Sequence, residues 1–170
     1  MKKVLISSVA VIVMFVSCLK STDYQQNCIA DYDPCALKAP SVEIDTVLNY
    51  LAAHKDSIYN FGDTIRHCSG MYYIIDSVGT GATPQICSYV DFKYKGMLTN
   101  GTVFQDQTTT AINAQVSNLI AGFKNALPAI KVGGGLHLFI PPTLGYGSAQ
   151  SGTIPPNSML IFQVTLTGVE

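Results

Sequence analysis

The first periodic segment of the chain is predicted to be a helix. Apolar residues recur at intervals of three and four in this segment, at Ile44, Val47, Leu48, Leu51 and Ala52. This spacing places them on one face of an α-helix, which Ser41 would cap and which would run to about Lys55. The apolar stripe could pack on the rest of the domain, dimerise or contact a partner, and packing on the domain is favoured.

Beyond Met71 the period becomes that of β-strands. Residues 72–78 are rich in strand formers, and residues 89–98 alternate apolar with polar or long side chains. Residues 136–140 and 159–166 are further strands, and Asn100-Gly101 supplies a tight turn. Residues 59–69 are loop-like, with Gly62 and Asp63 as breakers.

One short helix is predicted among these strands. It runs from Leu119 to about Leu127 and is ended by Pro128. Many strands with a single short helix predict an α+β fold, in which an antiparallel β-sheet curls around that helix.

The N-terminus has the pattern of an export signal. Lys2 and Lys3 precede an apolar run over residues 4–16, which is shorter than the roughly 20 residues that span a bilayer. This order is typical of a secretory signal peptide. Residues 15–18 also resemble a bacterial lipobox, in which Cys18 would be lipidated and would become the mature first residue; the alternative is an ordinary signal peptide with an incidental cysteine.

These patterns divide the chain into four parts. Residues 1–17 are predicted to be a lipoprotein signal peptide, 18–40 a polar tether, 41–69 an N-terminal helical extension and 70–170 the main folded domain. The mature protein is expected to be exported and lipid-anchored to a bacterial membrane, facing the periplasm or the cell exterior.

Charge argues against a nucleic-acid partner. Loss of Lys2 and Lys3 from the ten basic residues leaves eight against eleven acidic ones, so no basic patch is available. The remaining length suits one domain with a core of its own.

The cysteines are expected to form disulfides, because exported proteins mature in an oxidising compartment. With Cys18 lipidated, the remaining cysteines are Cys28, Cys35, Cys68 and Cys87. Four cysteines can be paired in three different ways. Pairing Cys28 with Cys35 and Cys68 with Cys87 is the simplest choice, since it closes short loops. None of the four lies in a C-x-x-C pair, which disfavours a zinc site.

Five short blocks follow one another in the C-terminal part of the chain. They are Phe92-x-Tyr94-x-Gly96-x-Leu98-x-x-Gly101-x-x-Phe104, Leu119-Ile120-x-Gly122-Phe123, Gly145-Tyr146-Gly147, Ile154-Pro155-Pro156-Asn157 and Leu160-Ile161-Phe162-x-Val164-x-Leu166. In this order and spacing the chain resembles the FKBP-type peptidyl-prolyl isomerases from about Gly70 to the C-terminus, roughly three fifths of its length. The resemblance implies the same α+β fold.

The resemblance also implies an aromatic pocket. Tyr94 and Phe104 would form one wall and Phe123 the floor, where many family members carry tryptophan. Tyr146 and Phe162 would close the remaining sides. The alternative is that these aromatic residues are simply core, but the Tyr146 loop and the Pro-Pro turn after Ile154 favour a pocket.

Other pocket positions are carried over in the same way. Leu119, Ile120 and Ile154 would complete the rim, and Ile112 would replace another aromatic wall residue. The main-chain N–H of Ile120 and the Tyr146 hydroxyl would donate hydrogen bonds to a bound peptide.

One position departs from the family pattern. The family usually has Asp directly after the phenylalanine that matches Phe104, whereas this chain has Gln105, followed by Asp106. Both side chains are predicted to contact substrate. An amide can still donate and accept hydrogen bonds but carries no charge, so binding should survive this change better than catalysis.

The resemblance predicts a prolyl isomerase that acts on proline-containing segments of unfolded or maturing proteins. Rotation about an X-Pro bond needs no covalent step, so no cofactor and no metal are expected. The resemblance is also compatible with binding of a tacrolimus-type macrolide. The alternatives are a non-catalytic peptide-binding or chaperone module on the same fold, and a structural lipoprotein whose N-terminal helix mediates assembly.

Overall fold

The computed structural model describes residues 32–55 and 63–170 of the chain. Six antiparallel strands form one sheet in the order β1-β2-β5-β6-β3-β4. Their bounds are β1 Ile65–Arg66, β2 Tyr72–Ser77, β3 Tyr89–Leu98, β4 Val103–Gln115, β5 Gly135–Ile140 and β6 Leu160–Val169. The helices are α1 Ser41–Ala53 and α2 Ala121–Ala126, and single 3₁₀ turns lie at Val116–Asn118, Leu127–Ala129 and Pro142–Leu144. The predicted α+β fold is confirmed.

Alternation along the central strands separates two hydrophobic cores. Leu136, Leu138 and Ile140 of β5 point into the larger core, between the sheet and α2. Their neighbour Phe139 is equally buried but belongs to a second core on the opposite face of the sheet. Because side chains of a strand alternate between its two faces, the apolar residues of β5 supply both cores.

Helix α1 covers the second face. Val47 and Leu51 pack with Phe139 and Ile161, so the favoured expectation for the apolar stripe is confirmed. The buried stripe is narrower than predicted, since Leu48 is 42% exposed.

The start of α1 also differs from the prediction. Ser41 is the first helical residue and Pro40 occupies the N-cap, with no side-chain capping bond. The Glu43 carboxylate instead accepts hydrogen bonds from the backbone N–H of Thr143 at 2.9 Å and from its hydroxyl at 2.8 Å. This contact fixes the first turn of the helix to the folded domain.

Two strands were absent from the sequence prediction. Strand β4 is a 13-residue edge strand with most side chains exposed or partly exposed, so it lacks the apolar alternation by which strands are recognised. Strand β1 contains only two residues, both exposed, and lies in the segment predicted as a loop.

The observed disulfide shows that the simplest predicted pairing, Cys28 with Cys35 and Cys68 with Cys87, is wrong. Cys35 is bonded to Cys68, 33 residues away, with 5.5 Å between their Cα atoms. The segment before α1 runs beside the turn before β2, where the Ala39 N–H donates to the Ser69 carbonyl at 2.8 Å. This tertiary contact brings together two cysteines that are distant in sequence.

Cys87 is also disulfide-bonded, so the expected use of the cysteines in disulfides is confirmed for Cys35, Cys68 and Cys87. The predicted signal peptide, Cys18 and Cys28 lie outside the described residues. Within residues 32–55 and 63–170, no helix has the length and apolar character needed to cross a bilayer.

Candidate functional site

A cavity of about 580 Å³ opens between the sheet, α2 and the segment before β6. It is lined by Phe92, Tyr94, Phe104, Gln105, Ile112, Asn118, Leu119, Ile120, Phe123, Tyr146, Ser151, Gly152, Thr153, Ile154 and Phe162. The structure therefore brings together all five aromatic residues predicted for the pocket, together with the predicted rim. None of the lining residues carries a formal charge at neutral pH.

Phe162 is the centre of the aromatic cluster. Its ring centroid lies 4.8 Å from that of Phe123 and 5.5 Å from that of Phe104, in edge-to-face arrangements, and 5.9 Å from that of Tyr94. Such pairs stabilise one another beyond the area they bury, because the positive ring edge meets the negative ring face. The walls of the cavity are thus held rigidly before any ligand arrives.

The aromatic residues are both core and lining. Phe123 and Phe162 are 5% and 3% exposed and belong to the larger core, whereas Tyr146 is 40% exposed. The two interpretations of the sequence, core or pocket, are therefore compatible, because the same rings pack in the core and line the cavity.

An irregularity between β3 and β4 sets the composition of one wall. The pairing register shifts between Gly96, which pairs with Gln105, and Met97, which pairs with Val103, so Phe104 is the extra residue on β4. A bulge of this kind interrupts strict alternation, and the consecutive residues Phe104 and Gln105 both line the cavity.

Gly96 permits the close approach of two rings. A Cβ added at this position would lie 2.4 Å from Cε2 of Phe104 and 2.9 Å from Cε1 of Phe162. Both distances are shorter than side-chain contacts in folded proteins, so the geometry of this wall requires a residue without a side chain.

Asp106 is separated from the other predicted site residues. It lies opposite Lys95, is exposed, and is not part of the lining. Its Oδ1 accepts hydrogen bonds from the Thr108 hydroxyl at 2.7 Å and from the Thr108 N–H at 3.1 Å, which lower the pKa of the Asp106 carboxyl. The polar group that the cavity receives from this strand is the Gln105 amide.

The Tyr94 hydroxyl is neutral across the physiological range. Burial raises the pKa of Tyr94 above its ordinary value, and the neighbouring Tyr146 raises it further. Ionisation of the Tyr94 phenol in this apolar site would place a charge away from water and close to Tyr146. Tyr94 therefore remains a hydrogen-bonding group without charge.

Ile120 lies at the N-cap of α2. Its carbonyl accepts hydrogen bonds from Phe123 N–H at 3.0 Å and Lys124 N–H at 3.2 Å. Its own N–H makes no hydrogen bond to another of the described residues, as is usual for the first amides of a helix. This leaves one backbone donor at the edge of the cavity.

Sequence reasoning missed several lining residues: Phe92, Asn118, Ser151, Gly152 and Thr153. Phe92 was identified on the correct strand face but not assigned to the cavity. The other four lie in turns, where periodicity gives no information on direction. A small antiparallel bridge between Ser151 and Ile154 holds one of these turns beside the cavity.

Comparison with known proteins identifies the family of this chain. Residues 81–167, about half of the chain, match the family model for FKBP-type peptidyl-prolyl cis-trans isomerase. The chain belongs to this family. The FKBP-type resemblance of the sequence is thereby confirmed.

Similar proteins include the FKBP-type peptidyl-prolyl cis-trans isomerase FkpA of Buchnera aphidicola subsp. Schizaphis graminum, 39% identical over 105 residues, which cover 60% of this chain and 42% of the relative. Outer membrane protein MIP of Legionella longbeachae is 40% identical over 106 residues, covering 60% of this chain and 45% of the relative. The chain thus spans less than half the length of these relatives.

The fold of this FKBP-type chain is also found in solved structures. The crystal structure of a peptidyl-prolyl cis-trans isomerase from Pseudomonas syringae pv. tomato is similar with a TM-score of 0.63 and 26% identity. The similar region covers 78% of this chain and 98% of that one.

Replacement of Gly96 by alanine is expected to damage the FKBP-type cavity. The added methyl group would displace Phe104 or Phe162, and overpacking of this kind costs about 1–3 kcal/mol of folding free energy. Gly96→Ala should lower stability in urea and weaken binding of a proline-containing peptide, measured by calorimetry. Gly135→Ala is the matched control, because its Cβ would have no neighbour closer than 3.5 Å; equal losses in both variants would contradict this account.

Proposed function

We propose that the protein is a peptidyl-prolyl cis-trans isomerase. The observation that carries the proposal is the uncharged aromatic cavity of about 580 Å³. Rotation about an X-Pro bond crosses a barrier of roughly 18–20 kcal/mol, because the twisted amide loses its resonance. A catalyst lowers this barrier by binding the twisted amide more tightly than either planar form.

The chemistry of the cavity suits the twisted amide. Loss of conjugation reduces the charge separation of the amide, so the twisted form is better accommodated by apolar walls than by water. Tyr94, Phe104 and Phe162 supply such walls, and Phe123 supplies a floor for the proline ring. No proton transfer, metal or cofactor enters this mechanism.

Two donors orient the bound peptide in this proposal. The Ile120 N–H donates to a peptide carbonyl at the edge of the cavity, and the Tyr146 hydroxyl donates to a second one. Tyr146 is exposed enough to reach a ligand, at 40% of its surface. Leu119 and Ile154 complete the rim, and the Gln105 amide hydrogen-bonds to the ligand or to Tyr94. We assign no direct contact with substrate to Asp106.

A second candidate is a non-catalytic peptide-binding or chaperone module. It is favoured by one observation, the absence of any carboxylate among the residues that line the cavity. The Gln105 amide can hold a ligand but adds no negative charge to the site. Turnover separates this candidate from the isomerase.

The substrates that fit this proposal are proline-containing segments of unfolded or maturing proteins outside the cytoplasm. Export is supported by the charged start and short apolar run of the sequence, and by the similarity to a relative named outer membrane protein MIP. We further propose that Cys18 carries the lipid anchor and that residues 70–170 are the isomerase domain. A tacrolimus-type macrolide is a candidate ligand for the same cavity.

The isomerase proposal predicts catalysed exchange of an X-Pro peptide. Uncatalysed exchange takes tens of seconds or more, so NMR exchange spectroscopy would detect acceleration directly. A folded protein that leaves the rate unchanged would reject the enzyme and favour the binding module.

Phe104→Ala should lower the exchange rate about tenfold or more, since about 1.4 kcal/mol of transition-state stabilisation is a factor of ten. Tyr146→Phe removes only one hydrogen bond and should have a smaller effect. The matched control is Val103→Ala, which truncates the adjacent exposed residue outside the lining. If Phe104→Ala lowers stability alone and leaves the rate intact, the residue is core and the pocket lies elsewhere.

Gln105→Asp is expected to raise the isomerisation rate a few-fold while changing peptide affinity less. A carboxylate at this position would polarise the cavity, and a few-fold gain corresponds to roughly 1 kcal/mol. Asp106→Asn is the matched control on the next residue and should be neutral, because Asp106 is bonded to Thr108 outside the cavity. A neutral Gln105→Asp combined with a harmful Asp106→Asn would transfer the acidic role to Asp106.

The lipid anchor predicts the mass of the mature protein. Intact-mass analysis of the protein from native membranes should give a chain that begins at an acylated Cys18, and Cys18→Ser should abolish the acylation. A soluble mature chain with a free amino terminus would reject the anchor and leave export untouched.

A further inference from the structure

Helix α2, which carries the cavity floor, is short and depends on its surroundings. It contains six residues, among them Gly122 and Asn125, which are poor helix formers. An isolated helix of this length would not be stable in water. The position of Phe123 at the cavity floor is therefore fixed by what α2 contacts.

One side of α2 packs directly on the sheet. A Cβ added at Gly122 would lie 2.4 Å from Cδ1 of Ile140, so helix and strand β5 are as close as they can be at this point. This contact fixes the distance of α2 from the sheet, and the contacts of the Phe123 ring with Phe92, Tyr94 and Phe162 hold one side of the helix in the core.

A further constraint on α2 is a hydrogen-bond network at Asn125, which is 8% exposed. The Tyr32 hydroxyl donates to Oδ1 of Asn125, and Nδ2 of Asn125 donates to the Ser69 hydroxyl oxygen at 3.2 Å. Ser69 lies 2.8 Å, through the same oxygen, from Nδ1 of His67. The side chains of Tyr32, Asn125, Ser69 and His67 are therefore linked in that order by hydrogen bonds.

Every hydrogen bond of the network pairs a donor with an acceptor. The backbone N–H of Ser69 also points to Nδ1 of His67, at 3.2 Å, so this nitrogen is an acceptor in a neutral imidazole. Burial lowers the pKa of His67 and favours that neutral form. The Ser69 hydroxyl can then donate to His67 while it accepts from Asn125.

Tyr32 itself is held by two further features. Nζ of Lys124 lies 5.5 Å from the centroid of its ring, within the range of a cation–π contact. The disulfide between Cys35 and Cys68 ties the same segment to the turn that carries Ser69. Tyr32 is thus a fixed donor rather than a residue of a loose tether.

We propose that Asn125 is a positioning residue of the cavity, and that Tyr32 acts through it to hold α2 and the Phe123 ring in place. This inference rests on the proposed isomerase function. Tyr32, His67 and Ser69 all precede residues 81–167, which match the family model, so the N-terminal segment supplies support for the site from outside the matched region.

The test is Tyr32→Phe in the full chain, which removes the hydroxyl and keeps the ring above Lys124. Loss of one hydrogen bond that orders the floor should reduce the isomerisation rate constant about two- to tenfold. The NMR signals of the Phe123 ring should shift, whereas those of the Phe139 ring, in the second core, should not. Tyr73→Phe is the matched control, since Tyr73 is a half-buried tyrosine outside both the network and the cavity.

A double-mutant cycle separates positioning from general loss of stability. Tyr32→Phe should have no further effect on the rate or on the Phe123 signals when Asn125 is already alanine, because the two residues act in series. Additive effects, or a Phe123 signal unchanged in Tyr32→Phe, would overturn the proposal. Where Asn125→Ala does not fold, Asn125→Leu, which is close to Asn in size and lacks both of its hydrogen-bonding groups, takes its place in the cycle.

The outcomes also distinguish this inference from the proposed function. A folded wild-type chain without turnover would reject the isomerase, and the Phe123 signals would then decide the positioning role alone. An active wild-type chain with an equally active Tyr32→Phe variant would reject the positioning role and leave the isomerase intact.

Discussion

Contacts of the Phe162 ring with Tyr94, Phe104 and Phe123 join the three elements that form the cavity. Phe162 lies on β6, which pairs with β5 on one side and β3 on the other. The backbone of β6 therefore fixes the ring in the middle of the sheet, and the other three rings are placed relative to it. Gly96 is the matching constraint, because only a residue without a side chain lets Phe104 approach this ring.

The resulting site is mainly apolar and contains a few neutral polar groups. Its polar groups are neutral amides, hydroxyls and one backbone N–H at the helix start, and the nearest acidic side chain on β4 faces away into a turn with Thr108. A site of this kind binds by shape and a few hydrogen bonds rather than by charge. A ligand held by these lining residues would form no ion pair with them, so salt has no such contact to screen.

Sequence reasoning identified most of the residues that line the cavity and four of the six strands. Strand β3 was predicted with its exact bounds because its apolar residues alternate and an Asn-Gly turn follows. Strand β4 was missed because an edge strand needs no buried face to be stable. Tyr94, Phe104, Phe123, Tyr146 and Phe162 were grouped through the order of the family blocks, since no local pattern links residues so distant in sequence.

Tertiary contacts decided the remaining features. The pairing of Cys35 with Cys68 follows from the course of residues 35–39 beside the turn before β2, which loop length alone does not predict. Gln105 and Asp106 are consecutive residues in a regular stretch of the β3–β4 ladder, so alternation places them on opposite faces, and the bulge at Phe104 decides that Gln105 is the one that shares the cavity with Phe104. The contacts of Asn125 are with Tyr32 and Ser69, which are distant in sequence and are linked to it by no local pattern.

The packing of α1 on the second face of the sheet has a consequence for the order in which the protein is made. Val47 and Leu51 are synthesised early, whereas Ile161, which they cover, lies on the last strand. Contacts between residues so distant in sequence form late in folding. The apolar face of α1 is therefore left without its partner strand during synthesis until the C-terminal end of the chain has been made.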